Sequence, residues 1–482
     1  MDILPDNVFL EIFSFCLSNS TGFSSQHTSD WRTLVHVCQS WRRIIFVSPR
    51  RLNLHLYCSN KTPVLKNLVF WPVTLPLTLN YYFSGNLVFR DEDNVATALE
   101  HSTRVHRVTI CGDTQVIKKV ATIMRKSFPA LTYLDLQVIQ NDDDFSDAPV
   151  IPRSLLGGPA PCLQHLRLKS VSFPRLPIFL LSARNLISLQ LEEITLHGYI
   201  SPEAMTGSLA VLTRLATLWI SFDTEVPTPD RPTNPPIQVI LPALSEFHYR
   251  GCSEYLEDFL AQVDTPRLNC LRIEYGTDEI EVLQLSRFVE RTENLKLDKF
   301  THAKASFYSG DSRLEFDRLQ GKCSEAHLSL ELCDREYLDV QVSCMVQVLG
   351  QLVVFPDVDE LTIHGFQVMG PEEMGITQWL PFFNRFPAVK ALRLSGGVQT
   401  SIVRALEETT RETVTDHVFP ALRLIWLVEE GDEGEDEYED GNEEDWNVSV
   451  RSIGRFLSLR QLAGCPVTVV NTEDEFIEGR SR

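Results

Sequence analysis

The feature that most constrains this chain is an apolar spacing, L-x-x-L-x-L, that returns along most of its length. It begins at Val105, Leu131, Leu163, Leu186, Leu215, Leu244, Leu268, Val358, Val389 and Leu422, and two weaker units starting at Thr292 and Glu325 fill the gap before Val358. These twelve units are spaced by about 29 residues on average, so the chain reads as an array rather than as three ordinary cores. A second signal runs in phase: Pro129, Pro161, Pro242, Pro266, Pro356, Pro387 and Pro420 each stand two residues before the first apolar position. Proline ends a helix and is tolerated at a strand entrance, where its missing N–H need not join a ladder. Between the units the period becomes helical, as in Val116, Ile117, Val120, Ile123 and Met124, or Tyr255, Leu256, Phe259, Leu260 and Val263. Ser201-Pro202-Glu203 reads as a cap with proline at the first helical position. Strand and helix repeated in this way predict an α/β solenoid with a parallel sheet on its concave face and helices outside.

The period and spacing resemble the leucine-rich repeat. Its consensus places Asn or Cys eight residues after the first leucine, and only Cys252 and Cys333 match; Ile139, Val171 and Ile194 stand there elsewhere. The expected array is therefore irregular. Strand alternation places positions three, five and seven of each unit on the concave side: Arg107, Arg167, Lys169, Trp219, Arg250, Arg272, Lys296, Arg393 and Trp426, with Asp135, Glu192, Glu246, Glu274, Asp298, Glu331 and Glu360. Equal numbers of bases and acids on an acidic chain predict a relatively electropositive face. Trp219 with Arg167, Lys169, Arg250 and Arg272 forms the candidate substrate-binding set, because Trp and Arg are enriched among binding hot spots. The competing expectation is that Trp219 packs under the proline-rich loop from Pro227 to Pro236.

The N-terminal segment has a different pattern. Val8, Ile12, Phe13 and Leu17 recur at helical spacing behind Asp6, a candidate cap, and after a Ser/Thr-rich loop Asp30 is placed to cap a helix carrying Trp31, Leu34, Val35, Val37, Cys38, Trp41, Ile44 and Ile45 up to Ser48-Pro49. Such short helices cannot bury these surfaces against each other alone, so part is expected to meet a partner. Leu4-Pro5, Ile12, Phe13, Leu17 and Val37-Cys38-Gln39-Ser40-Trp41-Arg42-Arg43 resemble the F-box. The resemblance implies that Leu4, Pro5, Ile12, Phe13, Leu17, Val37, Cys38 and Trp41 form a Skp-type adaptor-binding surface or the core beneath it, and through the adaptor a link to a cullin scaffold. The alternative is that the module only caps the array. Pro49-Arg50-Arg51-Leu52-Asn53-Leu54, Gly198 to Glu203 and Ser253 to Asp258 further resemble the expanded F-box families of mushroom-forming fungi. The expected layout is a helical module at 1–49, a linker or array cap at 50–104, the irregular array at 105–470 and a tail at 471–482.

Composition narrows the function classes. A net charge of -21 repels phosphate backbones and anionic bilayers, so neither nucleic acid nor membrane is an expected partner. Leu68 to Phe89 carries no charge, yet Pro72 and Pro76 and the alternation of Val73, Leu75, Leu77 and Leu79 favour strand and turn over a span. Eleven cysteines without a C-x-x-C pair are expected to be free thiols, mostly buried, and Asp2 and Asp6 stand where an export signal would need positive charge. A cytoplasmic or nuclear location is expected, where the sequons at Asn19, Asn60 and Asn447 stay unmodified. The acidic run Glu429 to Asp445 reads as a solvated insertion, with binding of a basic partner or metal as the sharper alternative.

No phosphate loop, nucleophile elbow, H-E-x-x-H or cysteine pair at metal spacing occurs, and His101 and His106 do not share a helix face. No catalytic, cofactor or metal residue is expected. The expected function is substrate recognition in a Skp-cullin-F-box ubiquitin ligase, with the repeats capturing a protein substrate. A ligase-independent interaction scaffold is the alternative, and an enzyme with dispersed catalytic residues the weakest reading.

Overall fold

Alternating apolar residues give each strand one buried face, and the sheet grows by adding strands in parallel register. A computed structural model describes residues 4–18, 30–48, 52, 54–59, 68, 71–82, 92–139, 148–223, 238–276, 280–318, 327–335, 337–352, 355–365, 376–412, 418–429, 453–454, 456–458, 460–462 and 464–473. The chain forms two compact units, one of Met1–Ile200 with Gly207–Leu215 and one of Ser201–Thr206 with Ala216–Arg482.

The first unit opens with helices α1 (Asp6–Ser18), α2 (Asp30–Val37) and α3 (Gln39–Val47). The expected second helix is thus two. Cys38 between them is extended, with φ -157° and ψ 168°, and its Sγ accepts the Trp41 N–H at 3.4 Å as a helix cap. Asp6 is the first residue of α1 rather than its cap; the Pro5 carbonyl accepts the Val8 N–H at 2.9 Å. Six parallel strands follow: β1 (Leu56–Ser59), β2 (Leu77–Tyr82), β3 (Val105–Gly112), β4 (Tyr133–Val138), β5 (His165–Lys169) and β6 (Ser188–Ile194). The sheet begins at Leu56, inside the stretch expected to be a linker or a cap of the array. Leu75, Leu77 and Leu79 are buried as their alternation predicts, while Val73 lies exposed in the preceding turn.

The second unit holds β7 (Thr217–Phe222), a small ribbon of β8 (Val239–Ile240) with β10 (Val263–Asp264), β9 (Glu246–Gly251), β11 (Cys270–Tyr275), β12 (His302–Phe307), β13 (Gly310–Asp317), β14 (His327–Arg335), β15 (Glu360–Gly365), β16 (Ala391–Gly396), β17 (Leu424–Glu429) and β18 (Thr468–Glu473). Its main sheet runs β7-β9-β11-β14-β13-β12-β15-β16-β17-β18. Every pairing is parallel except those of β13, which is antiparallel to both β12 and β14. The unit expected from Thr292 is not a strand. Residues Glu293–Leu295 and Leu297–Lys299 form two 3-10 turns, so Lys296 and Asp298 lie off the sheet, and Lys296 pairs with Glu293 at 2.5 Å. Leu295, Leu297 and Phe300 still reach the core, because the apolar spacing is met by tight turns as well as by a strand.

The in-phase prolines have a more specific role than ending a helix. In Phe128-Pro129-Ala130-Leu131 the Leu131 N–H donates to the Phe128 carbonyl at 3.2 Å, which puts Pro129 second in a tight turn. The same bond closes Ala160 to Leu163, Leu241 to Leu244, Thr265 to Leu268, Phe386 to Val389 and Phe419 to Leu422. Proline presets the φ that this position needs and sacrifices no donor. Several turns are closed further by arginine. Arg104 donates to the carbonyls of Pro72 and Leu75 at 3.1 and 3.2 Å, and the buried Arg460 to those of Phe419 and Leu422 at 3.2 Å each. Arg291 does the same for Leu260, at 2.6 Å, and Val263. These side chains satisfy carbonyls at the turns before the strands.

Helices expected from period appear as Thr114–Ile123, Ser253–Gln262 and Pro202–Leu209, the last with Ser201 Oγ accepting the Ala204 N–H at 3.3 Å. Among the described cysteines only Cys58, Cys252 and Cys333 are buried, fewer than expected; Cys111 and Cys270 lie at half-exposed strand positions, and Cys16 and Cys162 are exposed. No disulfide joins the described cysteines. Among the described residues no helix is long and apolar enough to cross a membrane. The acidic run from Glu430 to Asp445 and the loop from Pro227 to Pro236 lie outside the described residues.

Candidate functional site

The N-terminal helices share an aromatic core. Phe13 lies edge-on to Trp41 at 4.8 Å between ring centroids, and Phe9 packs against both. Val35, Ile44 and Ile45 are buried beside them, and Trp31 sits 5.1 Å from Trp71. The expected adaptor residues fall into distinct environments. Phe13 is core, Trp41 is half-buried over it, and Cys38 is the half-buried cap of α3. Leu4, Ile12 and Val37 are between 45% and 55% exposed, and Pro5 is exposed with them. The side chain of Leu17 lies outside the described residues. Sequence reasoning did not single out Phe15 and Val47, yet they are 71% and 75% exposed. Their sign was available: Phe15 falls off the Phe9 and Phe13 stripe by about half a helical turn. Among the described residues the module thus keeps a modest core and leaves Leu4, Ile12, Phe15, Val37 and Val47 largely in solvent.

The second candidate surface is the sheet face opposite the buried leucines. In the first unit Arg107, Tyr133 and His165 align across β3, β4 and β5, with the Arg107 guanidinium 4.2 Å from the Tyr133 ring centre. Asp135 is buried on the next rung; the Gln137 amide donates to its two carboxylate oxygens at 3.0 and 3.1 Å. Burial raises its carboxyl pKa, against the pull of Gln137 and Arg167. Arg167 grips Glu192 through two bonds of 2.7 and 3.0 Å, and Lys169 lies 2.9 Å from Glu193. The two cations proposed for substrate from this unit are therefore already neutralised.

The ladder of the second unit brings Trp219, Arg250 and Arg272 together. Trp219 is level with His248, and His248 with Arg272. The Trp219 and His248 rings stack at 4.6 Å and 5°. Trp219 is half-buried by this contact, which sequence reasoning missed because the register of β9 against β7 is not written in either strand. Arg250 lies 3.8 Å from Glu274, Arg313 2.6 Å from Glu331, and Arg393 2.6 Å from Glu360 while covering the Trp426 ring at 5.1 Å. Ion pairing, rather than a general positive potential, characterises most of the face. Among the described residues no cluster of His, Cys, Asp and Glu is arranged to hold a metal ion.

His248 is held down to about 4, chiefly by burial and then by the Arg272 and His327 charges. Its folded-state value lies below the ordinary one of 6.5, so the unfolded chain takes up the proton first on acidification. The contribution is present above pH 6.5 and lost as pH falls toward 4. Replacing His248 by glutamine should therefore flatten the acid limb of the stability curve, with wild type losing up to about 2 kcal/mol more than the variant between pH 7 and 5. Parallel denaturant melts at the two pH values check this; identical slopes refute it.

No protein-family model matches this sequence, and no curated protein matches it.

Proposed function

We propose that the chain is an F-box protein, the substrate-recognition subunit of a Skp-cullin-F-box ubiquitin ligase. Its N-terminal module docks a Skp-type adaptor, and its irregular leucine-rich-repeat sheet captures a protein for ubiquitin-dependent degradation. The observation that carries this reading is the exposure of Leu4, Ile12, Phe15, Val37 and Val47 on a module whose own core is Phe9, Phe13, Trp41, Val35, Ile44 and Ile45. Exposed apolar side chains at this density mark an interaction surface. Leu4, Ile12 and Val37 among them stand at positions where the sequence resembles the F-box. In this reading the receptor is cytoplasmic or nuclear and has no catalytic residue, cofactor or metal of its own; transfer chemistry belongs to the ligase it recruits. Co-expression of the full chain, and of a chain lacking residues 1–48, with a Skp-type adaptor tests it. The full chain should co-purify one to one and the truncated chain not at all; equal recovery sinks the assignment.

A further inference from the structure

Within the second unit, one rung of the ladder combines flat rings with a cation that no described carboxylate engages. Trp219 and His248 stack on adjacent strands, and Arg272 is the exposed next member of that rung on β11. Neighbouring charges are taken up elsewhere: Glu274 by Arg250, Glu331 by Arg313, and Glu360 by Arg393. Glu246 is level with Cys270 rather than with Arg272, and no ion pair joins it to Arg272. The other outward tryptophan, Trp426, is already covered by Arg393. The Trp219 rung is therefore a place where an incoming anion gains a partner without displacing a described one, beside two flat rings.

We propose that this rung recognises an extended peptide carrying an aromatic side chain and, two residues along, a carboxylate. That the peptide belongs to a captured protein rests on the receptor reading above; the chemistry of the site does not. Adjacent strands lie about 4.8 Å apart, so Trp219 and Arg272, two strands apart, have backbones roughly 10 Å from each other. Residues i and i+2 of an extended peptide point to one side about 7 Å apart, and an arginine side chain spans the remainder. The aromatic side chain meets the tryptophan and imidazole rings, whose pair offers offset and edge contacts. The carboxylate meets the Arg272 guanidinium, which can bond it through two parallel N–H groups. His248 stays uncharged at neutral pH and does not compete for the anion.

The test uses the full-length protein and fluorescein-labelled decapeptides of a Gly/Ser background bearing Phe-Gly-Asp, Phe-Gly-Lys or Ala-Gly-Asp, read by anisotropy. Wild type should bind Phe-Gly-Asp at least tenfold more tightly than either other peptide. Arg272→Glu should reverse the order of Asp and Lys peptides, and Trp219→Ala should erase the preference for Phe over Ala. Equal binding of all three peptides by wild type, no detectable binding, a charge preference untouched by Arg272→Glu, or tighter binding of a single-stranded oligonucleotide each overturns the proposal. Charge reversal at an exposed position guards against loss of fold, and each variant is also scored for adaptor co-purification. Adaptor capture without peptide discrimination defeats this site alone; discrimination without adaptor capture defeats the ligase reading alone.

Discussion

Aspartate placed at both Ile12 and Val37 should weaken adaptor capture by at least about a thousandfold while leaving the melting temperature within about 3 °C of wild type. Both side chains are about half exposed, so neither contributes much to the module's own core. In a docked interface each would be an apolar contact worth roughly 2 kcal/mol or more, and a carboxylate in its place would be buried without a partner. Trp41→Ala gives a contrasting result. That side chain packs on Phe9 and Phe13, so its loss costs about 3 to 5 kcal/mol of stability and weakens binding by unfolding the module. Calorimetric titration with adaptor beside a thermal melt separates the two effects. Undiminished affinity in the folded double variant would remove the exposed face from the interface.

The largest loss of stability from a single methyl group is expected at Gly396. This residue ends β16 with φ +72°, and a Cβ there would stand 2.1 Å from the Gly365 carbonyl oxygen. That oxygen also accepts the Gly397 N–H at 2.7 Å, so the two backbones cannot separate without breaking the contact. Left-handed backbone costs alanine about 1 kcal/mol, and relieving a backbone clash adds about 1 to 3 kcal/mol. Gly396→Ala should therefore destabilise the second unit by about 3 kcal/mol. The adjacent Gly397→Ala, whose Cβ would meet nothing nearer than 3.9 Å, should stay within about 1 kcal/mol. Chemical denaturation of both variants decides it; similar midpoints would show that β15 and β16 yield.

Proline at a fixed phase was legible because few positions tolerate it, and six of the seven prolines sit inside a hydrogen-bonded turn before a strand. The Thr292 unit was misplaced because Leu295 and Leu297 satisfy the repeat spacing while folding as 3-10 turns. β13 was overlooked although Ser312, Leu314 and Phe316 alternate cleanly with Arg313 and Glu315 after the Gly310 turn. That is a hairpin signal, invisible to a template built for parallel strands. The division of the N-terminal helices at Cys38 was hidden by apolar residues that keep helical phase across the break. At the candidate sites, the exposure of Ile12 and Val37 was not separable from the burial of Phe13 and Val35, because all four stand among the apolar positions of the predicted helices. The neutralisation of Arg167 by Glu192 was not legible either, because it depends on a diagonal between neighbouring strands.

The reversed strand β13 also affects how the chain can be assembled as it leaves the ribosome. In a plain parallel array each new strand is laid on the one made just before it. Here β11 ends at Tyr275, but its partner on that side, β14, starts only at His327. At ordinary synthesis rates that interval lasts about 3 to 10 s, during which the Cys270–Tyr275 edge has no strand beside it. An unpaired edge flanked by Leu271, Ile273 and Tyr275 is a template for another nascent chain.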